Sequence, residues 1–415
     1  MTLSHLCGNI ITWFFKGTNL SPIIDIIGEI FFGHSPRKLP TTHHTRTTTY
    51  GNPALLLHCA TFKAGYCNKI STFIISLRFL LLLLQRFFGN TMDVLSTIQA
   101  PISEQLAMLN SIMVERLHGS NALINKIVDN YLLTKGKQIR PILILLCARM
   151  TGEISQSTIL SAAAIELMHN ASLIHDDVVD NSMYRRGKPT INATEDNRIA
   201  VLMGDHFVSC ALQCGVATGM MSIISAMGQL GQELAHGEID QIDNARAHRL
   251  SEERYFDVIR RKTASLFRTC MHVGAISAHA DDEQRERLEQ FGELLGLCFL
   301  IKDDIFDYYE DKVIGKPTGN DLREGKITLP MLYAITHHDD EENRRMRSLL
   351  DRDNLDSDEI EQLIAYAKEN GGIEYAYRRM EELRNEAVEA LSSFPESETK
   401  QALITLLDYT ISRNK

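Results

Sequence analysis

The 415-residue chain has no GxxxxGK[ST] loop and no set of kinase motifs, so nucleotide phosphoryl transfer is not expected of it. It also lacks a Ser-His-Asp or Cys-His signature of covalent catalysis. Its eight cysteines are scattered, with no CxxC and no His-rich spacing. That usage excludes a structural zinc site and fits a reduced, cytoplasmic protein. Basic residues are scarce in the body of the chain. Residues 1–91 carry eight Lys/Arg and two Asp/Glu, which leaves 35 and 51 for residues 92–415, a balance of −16. An acidic body of that kind argues against a nucleic-acid partner. No apolar run reaches the about 20 residues of a membrane span; the most apolar stretch, Ile70 to Leu84, is broken by Arg78.

Residues 1–91 mix apolar runs with Thr41-Thr-His-His-Thr-Arg-Thr-Thr-Thr49, hold the single tryptophan, Trp13, and show no sustained period. The expectation is that the start site was placed too early, with a weak anchor or a displaced secretion-like region as alternatives. A regular amphipathic pattern begins at Met92, so residues 92–415 are expected to form one domain.

From Ser103 onward apolar residues recur at three and four positions, and β-branched alternation is missing. The pattern predicts helices over 103–117, 122–133, 140–150, 157–175, 195–218, 222–242, 251–279 and 282–309. Shorter ones follow over 327–335, 342–350, 357–370, 373–391 and 396–412. Ser251-Glu-Glu and Asp281-Asp-Glu read as N-terminal caps with acidic first turns, and Gly152 as a C-terminal stop. The expected architecture is all-α, a single large helical bundle around a central cavity.

Two stretches share one grammar: Ser172-Leu-Ile-His-Asp-Asp-Val-Val-Asp180 and, 127 residues later, Leu300-Ile-Lys-Asp-Asp-Ile-Phe-Asp307. Each is a DDxxD. On a helix Asp176 and Asp180 fall at i and i+4, and Asp177 and Asp180 at i and i+3, so the carboxylates are expected on one face within roughly 6 Å of each other. Carboxylates that close repel unless cations sit among them, and hard oxygen ligands with room for water and phosphate suit Mg2+. A lone DDxxD is more often a solvated helix face; two copies, each followed by a basic glycine-containing loop, favour the metal reading. Basic segments cluster around both: Arg185-Arg-Gly-Lys-Pro189, Lys135-Gly-Lys-Gln-Ile-Arg-Pro141, Gly315-Lys-Pro-Thr318, Glu324-Gly-Lys326 and Lys262-Thr263. Each alone is most often a solvated loop. Together they predict a diphosphate site.

In fixed order over about residues 92–415, these elements resemble the trans-isoprenyl diphosphate synthases, in particular the bacterial long-chain, octaprenyl-type polyprenyl synthetases. Lys137-Gln-Ile-Arg-Pro141, His169 to Asp180, the Arg-Arg-Gly-Lys-Pro-Thr loop, Gly204-Asp205, Lys262-Thr263 and Lys302 to Pro330 carry the likeness. The resemblance implies the isoprenoid synthase fold, a homodimer, and three Mg2+ ions on Asp176, Asp177, Asp180, Asp303, Asp304 and Asp307. It implies that Arg185, Lys262, Thr263, Lys316 and Lys326 aid the allylic diphosphate, and that Lys137, Arg140, His169 and Arg186 bind isopentenyl diphosphate. His169 alone would be read as a core histidine; its place seven residues before Asp176, close to two turns, puts it on the same face. Three departures stand out. Leu300 occupies a position where the family usually has Gln, Lys135 one where glycine is common, and Asn181 one where an acid often follows.

The implied chemistry is ionisation of the allylic C–O bond, attack by the alkene of isopentenyl diphosphate, and loss of a proton to the released diphosphate. Each cycle pushes the tail past Ser172 and Ala171, four and five residues before Asp176. Both are small, and with Met168 and Ala164 below and no aromatic floor they predict a long product, with a quinone side chain as the use the resemblance implies. Membrane contact is expected only for product release. Two rivals remain at this stage: a class I terpene cyclase, against which the second DDxxD argues, and a catalytically silent subunit of a heteromeric synthase, against which the retained aspartates argue.

Overall fold

The computed structural model describes residues 94–133, 136–246, 251–309, 318–352 and 354–413. The expectations for residues 1–91, Lys135 and Lys316 lie outside the described residues. Residues 94–99 are helical and lead through a 3-10 turn at Ala100–Ile102. The helices that follow are α1 (Ser103–Leu117), α2 (Ala122–Leu132), α3 (Ile139–Thr151), α4 (Gln156–Val179), α5 (Asn197–Ala217), α6 (Met221–Arg246) and α7 (Glu252–Ile259). They continue with α8 (Ser265–Ser277), α9 (Asp282–Asp307), α10 (Leu329–Thr336), α11 (Glu341–Leu350), α12 (Ser357–Glu369), α13 (Gly372–Ala390) and α14 (Glu398–Ser412). Most boundaries lie within two residues of those the apolar period predicts.

The start of α4 is fixed by a reciprocal cap in which Ser155 and Thr158 satisfy each other's backbone N–H groups, and α9 starts on the same device at Asp281 and Gln284. Around them the core is sorted by helix. α3 is apolar on every side, with Ile142 through Ala148 fully buried, so it belongs to the middle of the bundle. It packs on α4 and α8; α8 packs on α9, α9 on α13, and α4 on α5.

The α4–α5 contact is close because of Gly204. A Cβ there would stand 2.2 Å from Nε2 of His175, whose ring lies against α5 with Nε2 3.3 Å from the Val201 carbonyl and 3.5 Å from Asp205. Gly204-Asp205 thus seats the histidine that precedes the first acidic motif.

Three local differences from the sequence expectation have physical reasons. The helix carrying the first motif runs on to Val179, so Asp176 and Asp177 are helical and Asp180 caps the end. The segment expected as one helix over 251–279 is two, joined by a π-helical turn at Arg260–Ala264. The turn lies where α6 and α9 both come close to it: a Cβ at Gly237 would meet the Lys262 backbone nitrogen at 2.6 Å, and one at Gly296 the Ala264 Cα at 2.6 Å. Finally, Tyr184–Arg185 pairs antiparallel with Lys188–Pro189 across Arg186 and Gly187, both at positive φ (52° and 74°), a tight hairpin that a helix-period reading does not see.

Gly204→Ala should cost about 1–3 kcal/mol by overpacking, and His175→Ala added to it should recover most of the loss. Urea denaturation of both variants checks this, and an additive double variant would place the strain elsewhere.

Candidate active site

The two acidic motifs end α4 and α9. On α4, Asp176 and Asp180 are exposed, one turn apart. Asp176 lies in a recess where partial desolvation and the neighbouring Glu238 push its carboxyl above the ordinary range, against the pull of Lys262. Asp177 corrects the expectation that all three carboxylates share a face. It is buried, and its Oδ1 accepts from Nε (2.8 Å) and Nη2 (2.7 Å) of Arg185. A helix turns about 100° per residue, so the side chain after Asp176 points a quarter turn round and is used to hold the arginine of the hairpin.

On α9, Asp304 is buried and accepts a 2.5 Å hydrogen bond from the Tyr255 hydroxyl. Burial and the neighbouring Asp321, Asp303 and Asp307 hold it well above the usual carboxylate range, although the tyrosine works the other way. Asp303 is bound by Arg413, the first residue after α14, at 2.6 Å. Burial raises its pKa, with Arg413, Lys137 and Arg140 opposing. Asp307 accepts from the backbone N–H groups of Asn320 (3.1 Å) and Asp321 (3.0 Å).

Lys326 is ion-paired with Glu324 (2.5 Å). Burial works against its charge, but Glu324, Asp321 and Asp180 together raise its pKa, so it lies in the field of one acid from the first motif and one beside the second. Lys262, carried by the π turn with Thr263, is held by Glu238 and by Gln241 (3.1 Å) while facing Asp176.

A second group of cations gathers at the start of α3. Gln138, with φ 52°, turns the chain between Lys137 and Arg140. The Arg140 guanidinium sits 5.6 Å over Phe267, and its enclosed Nε has no hydrogen-bond partner. The Arg186 guanidinium lies against Gly136, where a Cβ would stand 2.5 Å from Nη1. His169 is buried, and burial together with Arg140, Arg186 and Arg185 keeps its pKa well below the ordinary value, so the ring is neutral. The family resemblance grouped these four residues; it missed Glu166 beside them. Glu166 is buried three residues before His169, its Oε2 has no partner, and it is the acid whose charge acts on both Arg140 and Arg186. Helical spacing from His169 was a signal that could have found it. No such signal marked Tyr255, Glu238 or Arg413, which are brought in by the fold.

A cavity of about 470 Å3 opens on the Glu166–Asn170–Asp177 face of α4, bounded across from it by Arg185 and Arg186. The Asp176–Asp180 face is a quarter turn away. Among the described residues no three acidic, histidine or cysteine side chains form a ready-made metal cage. The donor set nonetheless fits a hard cation. Asp176 and Asp180 present exposed carboxylates one turn apart at the end of α4, hard oxygen donors that leave positions for phosphate and water.

The polyprenyl synthetase family model matches residues 121–367. The chain belongs to that family. Octaprenyl diphosphate synthase of Haemophilus influenzae is 35% identical over 318 residues, 76% of this chain and 96% of the relative. The decaprenyl diphosphate synthase structure from Rhodobacter capsulatus superposes with a TM-score of 0.72 at 32% identity, covering 77% of this chain and 99% of that one. A Caulobacter crescentus polyprenyl synthase complexed with calcium and isoprenyl diphosphate superposes equally well (0.72) at 29% identity, over 77% and 98%. Membership of the family brings the all-α isoprenoid synthase fold expected from the sequence.

The neutral His169 gives a pH prediction. Unfolded, the imidazole takes a proton near pH 6.5; folded, it does not. The unfolded chain therefore binds the extra proton, and this part of the stability, full above pH 6.5, is lost as pH falls below it. Urea midpoints at pH 7.5 and 5.5 should show a smaller drop for His169→Gln than for the parent chain; equal drops would mean the ring is protonated in the fold.

Proposed function

We propose that the chain is a divalent-metal-dependent trans-polyprenyl diphosphate synthase that condenses isopentenyl diphosphate with an allylic diphosphate, farnesyl or similar, and repeats the step to a long product. The observation that carries this reading is the charge pattern: acidic motifs end two core helices, Asp180 of the first lies in the field of Lys326, and Asp303 of the second lies in the field of Lys137 and Arg140. Asp176, Asp180, Asp303, Asp304 and Asp307 would hold Mg2+. Bound there, the metal supplies positive charge to the departing diphosphate.

The protein's own groups do the rest. Arg185, fixed by Asp177, and Lys262 with Thr263 hold the allylic diphosphate from the α4 and π-turn sides, with Lys326 across from them. Lys137, Arg140 and Arg186 bind the diphosphate of the isopentenyl substrate, while His169, being neutral, offers a hydrogen bond without adding charge. No side chain is assigned as base. The proton leaves to the released diphosphate.

Below Asp176 the same α4 face continues to Ser172 and Met168, one and two turns away. The Ser172 hydroxyl is tied to the His169 carbonyl (2.9 Å), and Ala171, at 1% exposed, is packed into the core. The Met168 methyl reaches α6, 3.1 Å from where a Cβ of Gly231 would be. The route is therefore bounded by a small side chain and then by a flexible one, which suits a growing isoprenoid tail.

Helix α5 is, among the described residues, long and apolar enough to cross a membrane, yet part of it is core. Of its other apolar residues, Val201, Leu202, Leu212 and Val216 are exposed. Covering that stripe with a second copy gives a homodimer. A cytoplasmic enzyme that meets the membrane when its product leaves is consistent with both.

The full chain, given labelled isopentenyl diphosphate, farnesyl diphosphate and Mg2+, should yield a ladder ending at one long polyprenol after dephosphorylation. Release of a hydrocarbon would point to a cyclase, and no elongation by the isolated chain would overturn a single-chain enzyme. Asp176→Asn should lower turnover about a hundredfold or more with the helical spectrum retained. Ser172→Phe should shorten the product; an unchanged length would take the tail off this face of α4.

A further inference from the structure

Of the six motif aspartates, four have a partner within the protein: Arg185 holds Asp177, Arg413 holds Asp303, the Tyr255 hydroxyl holds Asp304, and backbone N–H groups hold Asp307. Among the described residues nothing donates to the carboxylates of Asp176 or Asp180. Cations are not wanting there. The charge of Lys262 acts on Asp176, and that of Lys326 on Asp180. Each ammonium is held instead by a glutamate from outside the motifs. Lys262 pairs with Glu238 and donates to Oε1 of Gln241 at 3.1 Å, and Lys326 pairs with Glu324 at 2.5 Å.

The backbone brings each glutamate to its lysine by a different route. Gly237 has no Cβ where one would stand 2.6 Å from the Lys262 nitrogen, so α6 lies directly on the π turn. Glu238 and Gln241, three residues apart on α6, then reach the same ammonium, and the adjacent Arg261 is tied to Asp240 at 2.7 Å. At the other lysine, Gly325 at φ 70° turns the chain between Glu324 and Lys326, and the Lys326 N–H closes on the Asp321 carbonyl at 2.7 Å. Two unrelated stretches thus arrive at one order of charges: motif aspartate, lysine, glutamate. Partly exposed ion pairs add little stability, so stability alone does not account for the repetition. A lysine ammonium on its flexible four-carbon stem would otherwise settle on the nearest uncompensated acid, which here is the motif aspartate.

We propose that Glu238 and Glu324 are positioning residues that keep Lys262 and Lys326 off Asp176 and Asp180, so that this pair of carboxylates stays open for a divalent cation. The lysines remain charged and close to the motif, where a diphosphate can use them, without cancelling the acids on which the cation depends. The glutamates act through the lysines and need not touch the metal. The inference rests on the proposed reading of the first motif as a metal site.

The test is a double-mutant cycle on the full chain, read as Mn2+ binding by electron paramagnetic resonance without turnover. Glu238→Gln should weaken Mn2+ binding about tenfold, the size of one charge-assisted bond newly made by Lys262 to Asp176. In a Lys262→Met background the same change should matter less than about twofold, because no ammonium is left to close on the aspartate. A glutamate that binds the cation itself, or acts only through its charge, would give equal losses in both backgrounds, and that result overturns the proposal. Unchanged affinity in Glu238→Gln overturns it too. Glu324→Gln, with and without Lys326→Met, repeats the cycle at Asp180 and decides the proposal if Glu238→Gln loses its fold. A parent chain that binds no Mn2+ would overturn the proposal together with the metal reading. A parent chain that binds Mn2+ but makes no product would fail the synthase reading alone, since the cycle needs no substrate.

Discussion

Everything in the site follows from the need to keep like charges close without letting them cancel. Carboxylates converge at the ends of α4 and α9, and cations converge at the start of α3 and in the hairpin. In the folded chain these charges are offset by opposite ones, some from the other group and some from elsewhere in the fold: Arg185 on Asp177, Arg413 on Asp303, Lys262 on Glu238, and Glu166 in the field of Arg140 and Arg186. Such pairs contribute little net stability when buried, because desolvation offsets attraction. Their effect is on geometry. They hold charged groups in position before any substrate arrives, so less rearrangement is needed when a diphosphate and its counter-ions enter.

The helices that deliver these groups are ordinary in their causes. An all-round apolar α3 fixes the middle of the bundle, reciprocal caps fix where α4 and α9 begin, and small residues let neighbours approach until a side chain such as His175 lies directly on the next helix's backbone. The departures from ordinary helix sit at the chemistry. Arg186 is held at positive φ, which costs a non-glycine residue about 1 kcal/mol or more, and Lys262 rides on a π turn. Backbone irregularities that aim a cation are tolerated here because the surrounding packing is regular.

Much of this was legible in the sequence, and the limits have physical reasons. Apolar periodicity located nearly every helix because each buries one continuous stripe. The duplicated aspartate motif and the basic loops stand out in the sequence because their order and spacing can be read without the fold. Asp177 was misjudged because spacing gives the angle between side chains and not the partner that will claim one of them. Tyr255, Glu238 and Arg413 were invisible because they come from helices whose local sequence is unremarkable, and only the packing of α7, α6 and α14 brings them to the acids. The hairpin was hidden because two residue pairs are too short to show a period of two.

The π turn between α7 and α8 places two residues of the site on one rigid rod with an irregular joint. Lys262 lies within the joint and faces the first motif; Tyr255 lies seven residues before Lys262, close to two turns, and bonds Asp304 of the second. Losing a single residue there would restore a regular helix and rotate α7 by about 100° relative to α8. Tyr255 would then swing off Asp304, or Lys262 off Asp176, but the rod could not satisfy both. The joint therefore acts as a phase setting between the two acidic motifs, and it limits insertions and deletions in this stretch far more severely than its half-exposed surface would suggest.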